Sequence, residues 1–141
     1  MRKIFLAVAV FMLGLVTFST AKAATTDDIG YHFKILSYQA NSFSESRYRG
    51  SDNPNRAWMV NFKKSGEIGN NTITRYWLSL NYLGGQASDD HDVKVGSGRH
   101  FYRANDKSNK TDVRLGAENN NYNAESYYVS GNWDEETAVV L

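Results

Sequence analysis

The chain has 141 residues, with 16 Lys+Arg, 15 Asp+Glu, one Pro and no Cys. Its length fits one domain, and 41% hydrophobic residues with 13% aromatics can fill a core, which excludes wholesale disorder. Without Cys there is no disulfide framework, no thiol nucleophile and no cysteine to carry a lipid.

Met1-Arg2-Lys3 is a short basic start, and residues 4–18 form an apolar run interrupted only by Gly14 and Thr17. Ser19-Thr20-Ala21-Lys22-Ala23-Ala24 follows, with Ala21-Lys22-Ala23 as a small-x-small cleavage pattern. These three regions predict a secretory signal peptide over 1–23, cut after Ala23. The run is shorter than the roughly 20 residues of a spanning helix, so no stable membrane anchor is expected. Removal of Arg2, Lys3 and Lys22 leaves 118 residues, 24–141, with 13 basic and 15 acidic side chains. That balance disfavours nucleic acid and anionic membranes as partners. The expected product is one secreted, extracellular domain of bacterial type.

The remaining chain alternates with a period of two, the signature of half-buried strands. Tyr31, Phe33 and Ile35 alternate with His32 and Lys34. Residues 39–55, with Ser42, Ser44, Ser46 and the turn signal Asp52-Asn53-Pro54-Asn55, read as a long crossover loop. Trp58, Val60 and Phe62 form the next row. Residues 72–83 are rich in β formers, with Tyr76, Leu78, Leu80 and Tyr82 on one face and Arg75, Trp77, Ser79 and Asn81 on the other. Val93 and Val95 make a short strand, and Gly96-Ser97-Gly98 reads as a hairpin turn to His100, Phe101 and Tyr102. Residues 105–109 read as a polar loop. Val113, Leu115 and Ala117 form another row, and Tyr127, Val129 and Trp133 the last. The 14 asparagines fall mostly between these runs, where Asn supplies turn conformations. About seven strands with frequent turns predict an all-β antiparallel β-sandwich, with a barrel as the alternative.

Little in the sequence supports catalysis. No Gly-x-Ser-x-Gly elbow and no zinc-protease histidine spacing occurs among His32, His91 and His100. No catalytic residue and no cofactor is expected. A carboxylate-dependent hydrolase would have Glu67, Glu118 and Glu125 to draw on. Asp89-Asp90-His91-Asp92 holds metal-ligand types, but neighbours on a strand point to opposite faces, and a solvated loop is the simpler reading. Asp106, Ser108, Lys110 and Asp112 do not make a calcium loop, and a polar hairpin turn is expected there. Asp134-Glu135-Glu136 reads as a solvated strand end. The aromatic and basic side chains are more informative. Arg47-Tyr48-Arg49 and the pair Arg99 and Arg103 interleave cations with rings, which suits stacking and anion binding. Tyr76 with Trp77, and Tyr127 with Tyr128, put rings on both faces of a strand. The candidate binding surface is Arg47, Tyr48, Arg49, Tyr82, Arg99, Arg103, Tyr122 and Tyr128, against the plainer reading that such rings cover strand edges.

The strings Asn41-Ser42-Phe43-Ser44-Glu45-Ser46-Arg47-Tyr48-Arg49, Gly96-Ser97-Gly98, Leu115-Gly116-Ala117-Glu118-Asn119-Asn120-Asn121-Tyr122 and Val129-Ser130-Gly131-Asn132-Trp133-Asp134-Glu135-Glu136-Thr137 cover much of the chain. They resemble an uncharacterised family, a domain of unknown function, of small secreted proteins from low-GC Gram-positive bacteria. The resemblance implies export and a small single domain, and it supplies no catalytic residue. The functional expectation is a secreted, non-enzymatic binding protein whose partner is a cell-wall glycan or an envelope protein. A bacteriocin-like secreted effector is the alternative, ahead of a hydrolase.

Overall fold

Nine strands alternate between two antiparallel sheets in the structure, a computed structural model that describes residues 27–69, 71–81 and 85–141. The segment 1–23 lies outside the described residues. The strands are β1 (Ile29–Ile35), β2 (Ser42–Phe43), β3 (Arg47–Arg49), β4 (Trp58–Ser65), β5 (Ile73–Leu80), β6 (His91–Lys94), β7 (Arg99–Tyr102), β8 (Thr111–Asn119) and β9 (Tyr127–Asp134). One sheet, called A here, runs β1-β9-β4-β7; sheet B runs β2-β8-β5-β6, with β3 also on β8. The sheets stay separate, so the molecule is a sandwich and not a barrel. With β2 and β3 counted as one interrupted strand, this order is that of a jelly roll.

The stretch 39–55 is therefore not a plain loop. It carries the chain to sheet B, runs along β8 as β2 and β3, and returns. Ser44 bridges the two pieces: its N–H donates to the Leu115 carbonyl at 2.9 Å and its Oγ accepts from the Leu115 N–H at 3.0 Å. Gly96-Ser97-Gly98 is not a hairpin turn either. It joins β6 in sheet B to β7 in sheet A, as the 103–110 segment joins β7 to β8. Gly96 and Gly98, at φ 75° and 89°, supply the left-handed backbone for that crossing.

The alternation read from sequence fills the core. Tyr31, Ile35, Trp58, Val60, Phe62, Val129 and Trp133 face inward from sheet A. They meet Tyr76, Leu78, Val93, Val113, Leu115 and Ala117 from sheet B. Hydroxyl bonds cross this core: Tyr31 Oη to Tyr76 Oη at 3.0 Å, and Thr74 Oγ1 with Tyr127 Oη at 3.2 Å. Burial pushes the Tyr31 and Tyr76 phenols well above their ordinary range, so both stay neutral, with Tyr31 donating to Tyr76. Trp77 faces out from sheet B yet is 4% exposed. Its indole lies against Gly116, where any side chain would collide with it, and Phe43 packs edge-on at 6.3 Å. The Arg114 guanidinium covers Phe43 at 4.2 Å.

The acidic strand end is buried, contrary to the sequence reading. Asp134 accepts the backbone N–H groups of Asp27 at 2.8 Å and Glu136 at 2.9 Å. Glu136 accepts the Ser51 N–H at 2.5 Å. Arg49 is fully buried beside them and donates to the carbonyls of Glu135, Asn53 and Arg56 at 2.5, 3.0 and 2.6 Å. Arg47 Nε approaches Glu135 Oε2 at 2.9 Å without hydrogen-bond alignment, so this oxygen stays unsatisfied. Burial pushes the Glu135 carboxyl up to about 7. Glu136 through the Ser51 N–H, and Glu135 through Arg47 and through its carbonyl to Arg49, lock the end of β9 to the 47–56 segment, while Asp134 holds the Asp27 backbone.

Candidate functional site

The jelly-roll order sends four connections to one end of the sandwich: β1–β2, β8–β9, β4–β5 and β6–β7. The first three lie side by side across that end. The β8–β9 loop is built by asparagine side chains standing in for backbone, as Asn does in turns. Buried Asn119 donates from Nδ2 to Asn123 Oδ1 at 3.1 Å and accepts the Asn121 N–H at 2.9 Å. Asn123 Oδ1 also accepts the Glu125 N–H at 3.1 Å.

The β1–β2 turn is fastened to this loop. The Tyr38 N–H donates to the Asn123 carbonyl at 2.7 Å, and Gln39 Nε2 to the Asn120 carbonyl at 3.3 Å. Tyr38 and Gln39 are both left-handed, at φ 54° and 56°. Two consecutive non-glycine residues in that region store backbone strain, which is found where the surroundings over-determine a position. The conformation presents the Tyr38 ring beside Tyr122, with centroids 5.3 Å apart and planes tilted by 53°. The rings are 54% and 74% exposed. Asn120 and Asn121, which precede Tyr122 in the same loop, line a pocket of about 310 Å³ shared with Glu67, Asn71, Thr72 and Ile73. Ser65 Oγ holds the β4–β5 connection by accepting from the Glu67 N–H and Thr72 Oγ1, each at 3.0 Å. Ile68 stands fully exposed at the mouth. The result is a strip of two aromatic rings followed by an amide-rich pocket. Rings of this kind stack on apolar faces of a ligand, and amides fix its hydroxyls.

The eight residues singled out in the sequence do not meet at one place. Tyr122 joins this strip. Tyr128, 55% exposed, stands on the outer face of sheet A, stacked on His32 at 5.2 Å. Tyr48, 60% exposed, stands on the outer face of sheet B opposite Asp112. Tyr82 lies outside the described residues. Arg49 has no surface at all, because its guanidinium is spent on three carbonyls in the interior. Arg47 is largely covered and engages Glu135, Asp27 and the Trp133 ring. Arg99 pairs with Asp28, and Arg103 is exposed past the end of β7. Of the hydrolase candidates, Glu67 lines the pocket, while Glu118 faces outward from sheet B against Arg75 at 3.4 Å. Among Asp89-Asp90-His91-Asp92, Asp90 and Asp92 pair with Arg75, and the His91 ring turns inward to stack on Tyr102 at 3.7 Å. Among the described residues no cluster of three or more such groups is arranged to hold a metal ion. Tyr38 escaped the sequence reading, because a left-handed tyrosine leaves no glycine or proline to announce it.

A family model described as "Protein of unknown function (DUF2712)" matches residues 18–137. The chain belongs to this family. Among curated proteins none matches it. One solved structure, "Structure of infectious bursal disease virus Gx strain", is similar over 78% of this chain at 10% identity, with a TM-score of 0.40. The match spans 30% of that viral chain.

Proposed function

We propose that the DUF2712 protein is a secreted, non-enzymatic binding protein that takes a cell-envelope glycan at the Tyr38–Tyr122 end of the sandwich. In this reading the signal peptide is removed after Ala23, the domain 24–141 works outside a low-GC Gram-positive cell, and neither a cofactor nor nucleic acid takes part. The observation that carries it is the strained Tyr38. A left-handed non-glycine residue costs about 1–2 kcal/mol, and here that cost holds a half-exposed ring beside a second one. A core-stabilising role would bury the rings, and these are open to solvent. The adjoining pocket walls supply amide donors and acceptors suited to sugar hydroxyls.

The test is retention of the purified protein on isolated cell wall and on insoluble polysaccharides, compared with Tyr38→Ala/Tyr122→Ala. The wild type is expected in the pellet and the double variant in the supernatant, with unchanged thermal unfolding apart from about 1 kcal/mol from the lost ring contact. Equal retention of both proteins, or retention of neither on any glycan, refutes the reading.

A further inference from the structure

β4 carries Lys63 and Lys64 in succession. On a regular strand two neighbours point to opposite faces, and one of these lysines would enter the core. The pairing of β4 with β9 shifts register between Phe62 and Lys64. Phe62 sits opposite Gly131 and faces inward, Lys64 sits opposite Ser130 and faces outward, and Lys63 is the additional residue of a β-bulge. Both lysines are exposed as a result. Bulges re-aim side chains in this way, and they are frequent beside functional sites.

The bulge adds to a face that is already basic. Across β9, Tyr128 lies opposite Lys34 of β1, and Ser130 lies opposite His32. The outward positions of β1, β9 and β4 therefore hold His32, Lys34, Tyr128, Ser130, Lys63 and Lys64, with the Tyr128 ring stacked on His32. Lys34, Lys63 and Lys64 have no carboxylate partner among the described residues. In a chain whose charges almost cancel, with 16 basic and 15 acidic residues, this is a local excess. Its counterpart is the β5–β6 part of the outer face of sheet B, where Asp90, Asp92 and Glu118 surround Arg75. The lysines stand where β1 and β4 run up to the Tyr38–Tyr122 end, and the Gly66 N–H at the start of the pocket loop donates to the Tyr128 carbonyl at 2.8 Å.

We infer that this shoulder of sheet A binds the negative charges of an anionic polysaccharide whose sugar rings occupy the adjacent tyrosine strip, an inference that rests on the glycan reading above. Charge complementarity selects an anionic chain. These six positions carry only polar, cationic and tyrosine side chains, which suit a hydrated polymer, and the exposed Leu36 and Ile68 stand beyond the ends of β1 and β4. The cations line both sides of the single ring of Tyr128, so a chain lying over β9 meets charge on either flank.

The experiment measures binding of the purified protein to polygalacturonate and to neutral dextran, at about 50 mM and about 500 mM NaCl, where screening lengths differ severalfold. Lys34→Gln/Lys63→Gln/Lys64→Gln is expected to lose about tenfold or more in affinity for polygalacturonate at low salt, since each exposed charge contact is worth a few-fold. High salt is expected to produce the same loss in the wild type. Lys94→Gln/Lys107→Gln, which removes two exposed lysines elsewhere, is expected to bind as the wild type does. Unchanged polygalacturonate binding in the triple variant, or tighter capture by phosphatidylglycerol vesicles than by the polymer, overturns the inference. Failure of the glycan reading itself looks different: the Tyr38→Ala/Tyr122→Ala protein then binds both polymers like the wild type.

Discussion

Replacing Glu135 by Gln is expected to stabilise the protein above neutral pH and to do nothing in acid. The carboxyl is pushed from 4.5 to about 7, chiefly by burial and despite Arg47 at 2.9 Å. Between those values the folded protein holds a proton that the unfolded chain has released, so stability falls as pH rises through this window. The full penalty is present above pH 7 and amounts to about 3 kcal/mol as a ceiling, at 1.36 kcal/mol per tenfold change. Gln keeps the shape and never ionises. Urea unfolding followed by tryptophan fluorescence should therefore give the variant a higher midpoint at about pH 8 and coincident midpoints below about pH 4. Asp134 and Glu118 are shifted upward in the same sense, and His91 is shifted downward by burial with the opposite pH effect. All three are present in both proteins, so the difference reports on Glu135. A variant less stable than the wild type by more than about 1 kcal/mol at pH 8 would refute the reasoning and mean that attraction to Arg47 outweighs the cost of burial.

Gly116→Ala forces the Trp77 indole off the face of sheet B and is expected to cost about 2–3 kcal/mol in a urea titration; a change below about 0.5 kcal/mol would show that the ring is free to move. Arg49→Met leaves three carbonyls, one buried and two part-buried, without this donor and should cost about 3 kcal/mol. Arg49→Lys should recover only part of that, because a lysine cannot reproduce the planar fork. Full recovery would mean that charge, and not geometry, holds the 47–56 segment.

The long strands were legible because their side chains obey a period of two. Tyr31 to Ile35, Trp58 to Phe62 and Val113 to Ala117 all face the core as the alternation requires. β2 and β3 were not legible. They are two and three residues long, edge-bound and polar, and their pairing is set by Ser44 against Leu115, a contact no local pattern encodes. Turn chemistry marked where strands end, but glycines do not say whether the next strand returns to the same sheet, so Gly96-Ser97-Gly98 looked like a hairpin. Paired rings such as Tyr76 and Trp77 suggested an exposed aromatic, and Trp77 does face outward; Phe43, distant in sequence, packs against it, and Arg114 in turn lies over Phe43. At the candidate site, Tyr122 was visible as an aromatic in an asparagine loop. Its partner Tyr38 depends on a backbone conformation that tertiary hydrogen bonds impose. Asp134 and Glu135 were misread because charge is ordinarily a sign of solvent; the burial of Asp134 depends on backbone donors from Asp27 and Glu136, and that of Glu135 on the Arg47 side chain beside it.

The pairing of the first strand with the last has a consequence for how the molecule comes into being. Among the described residues β1 pairs as a strand with β9 alone, and β4 has β9 on one side and β7 on the other. A chain emerging from its N-terminus thus has no stable sheet A to form until residues 127–134 have arrived. Long loops must close before these contacts reward the closure, so folding is slow and late. Such a polypeptide stays extended for most of its synthesis and becomes a rigid body only once β9 has arrived to join β1 to β4.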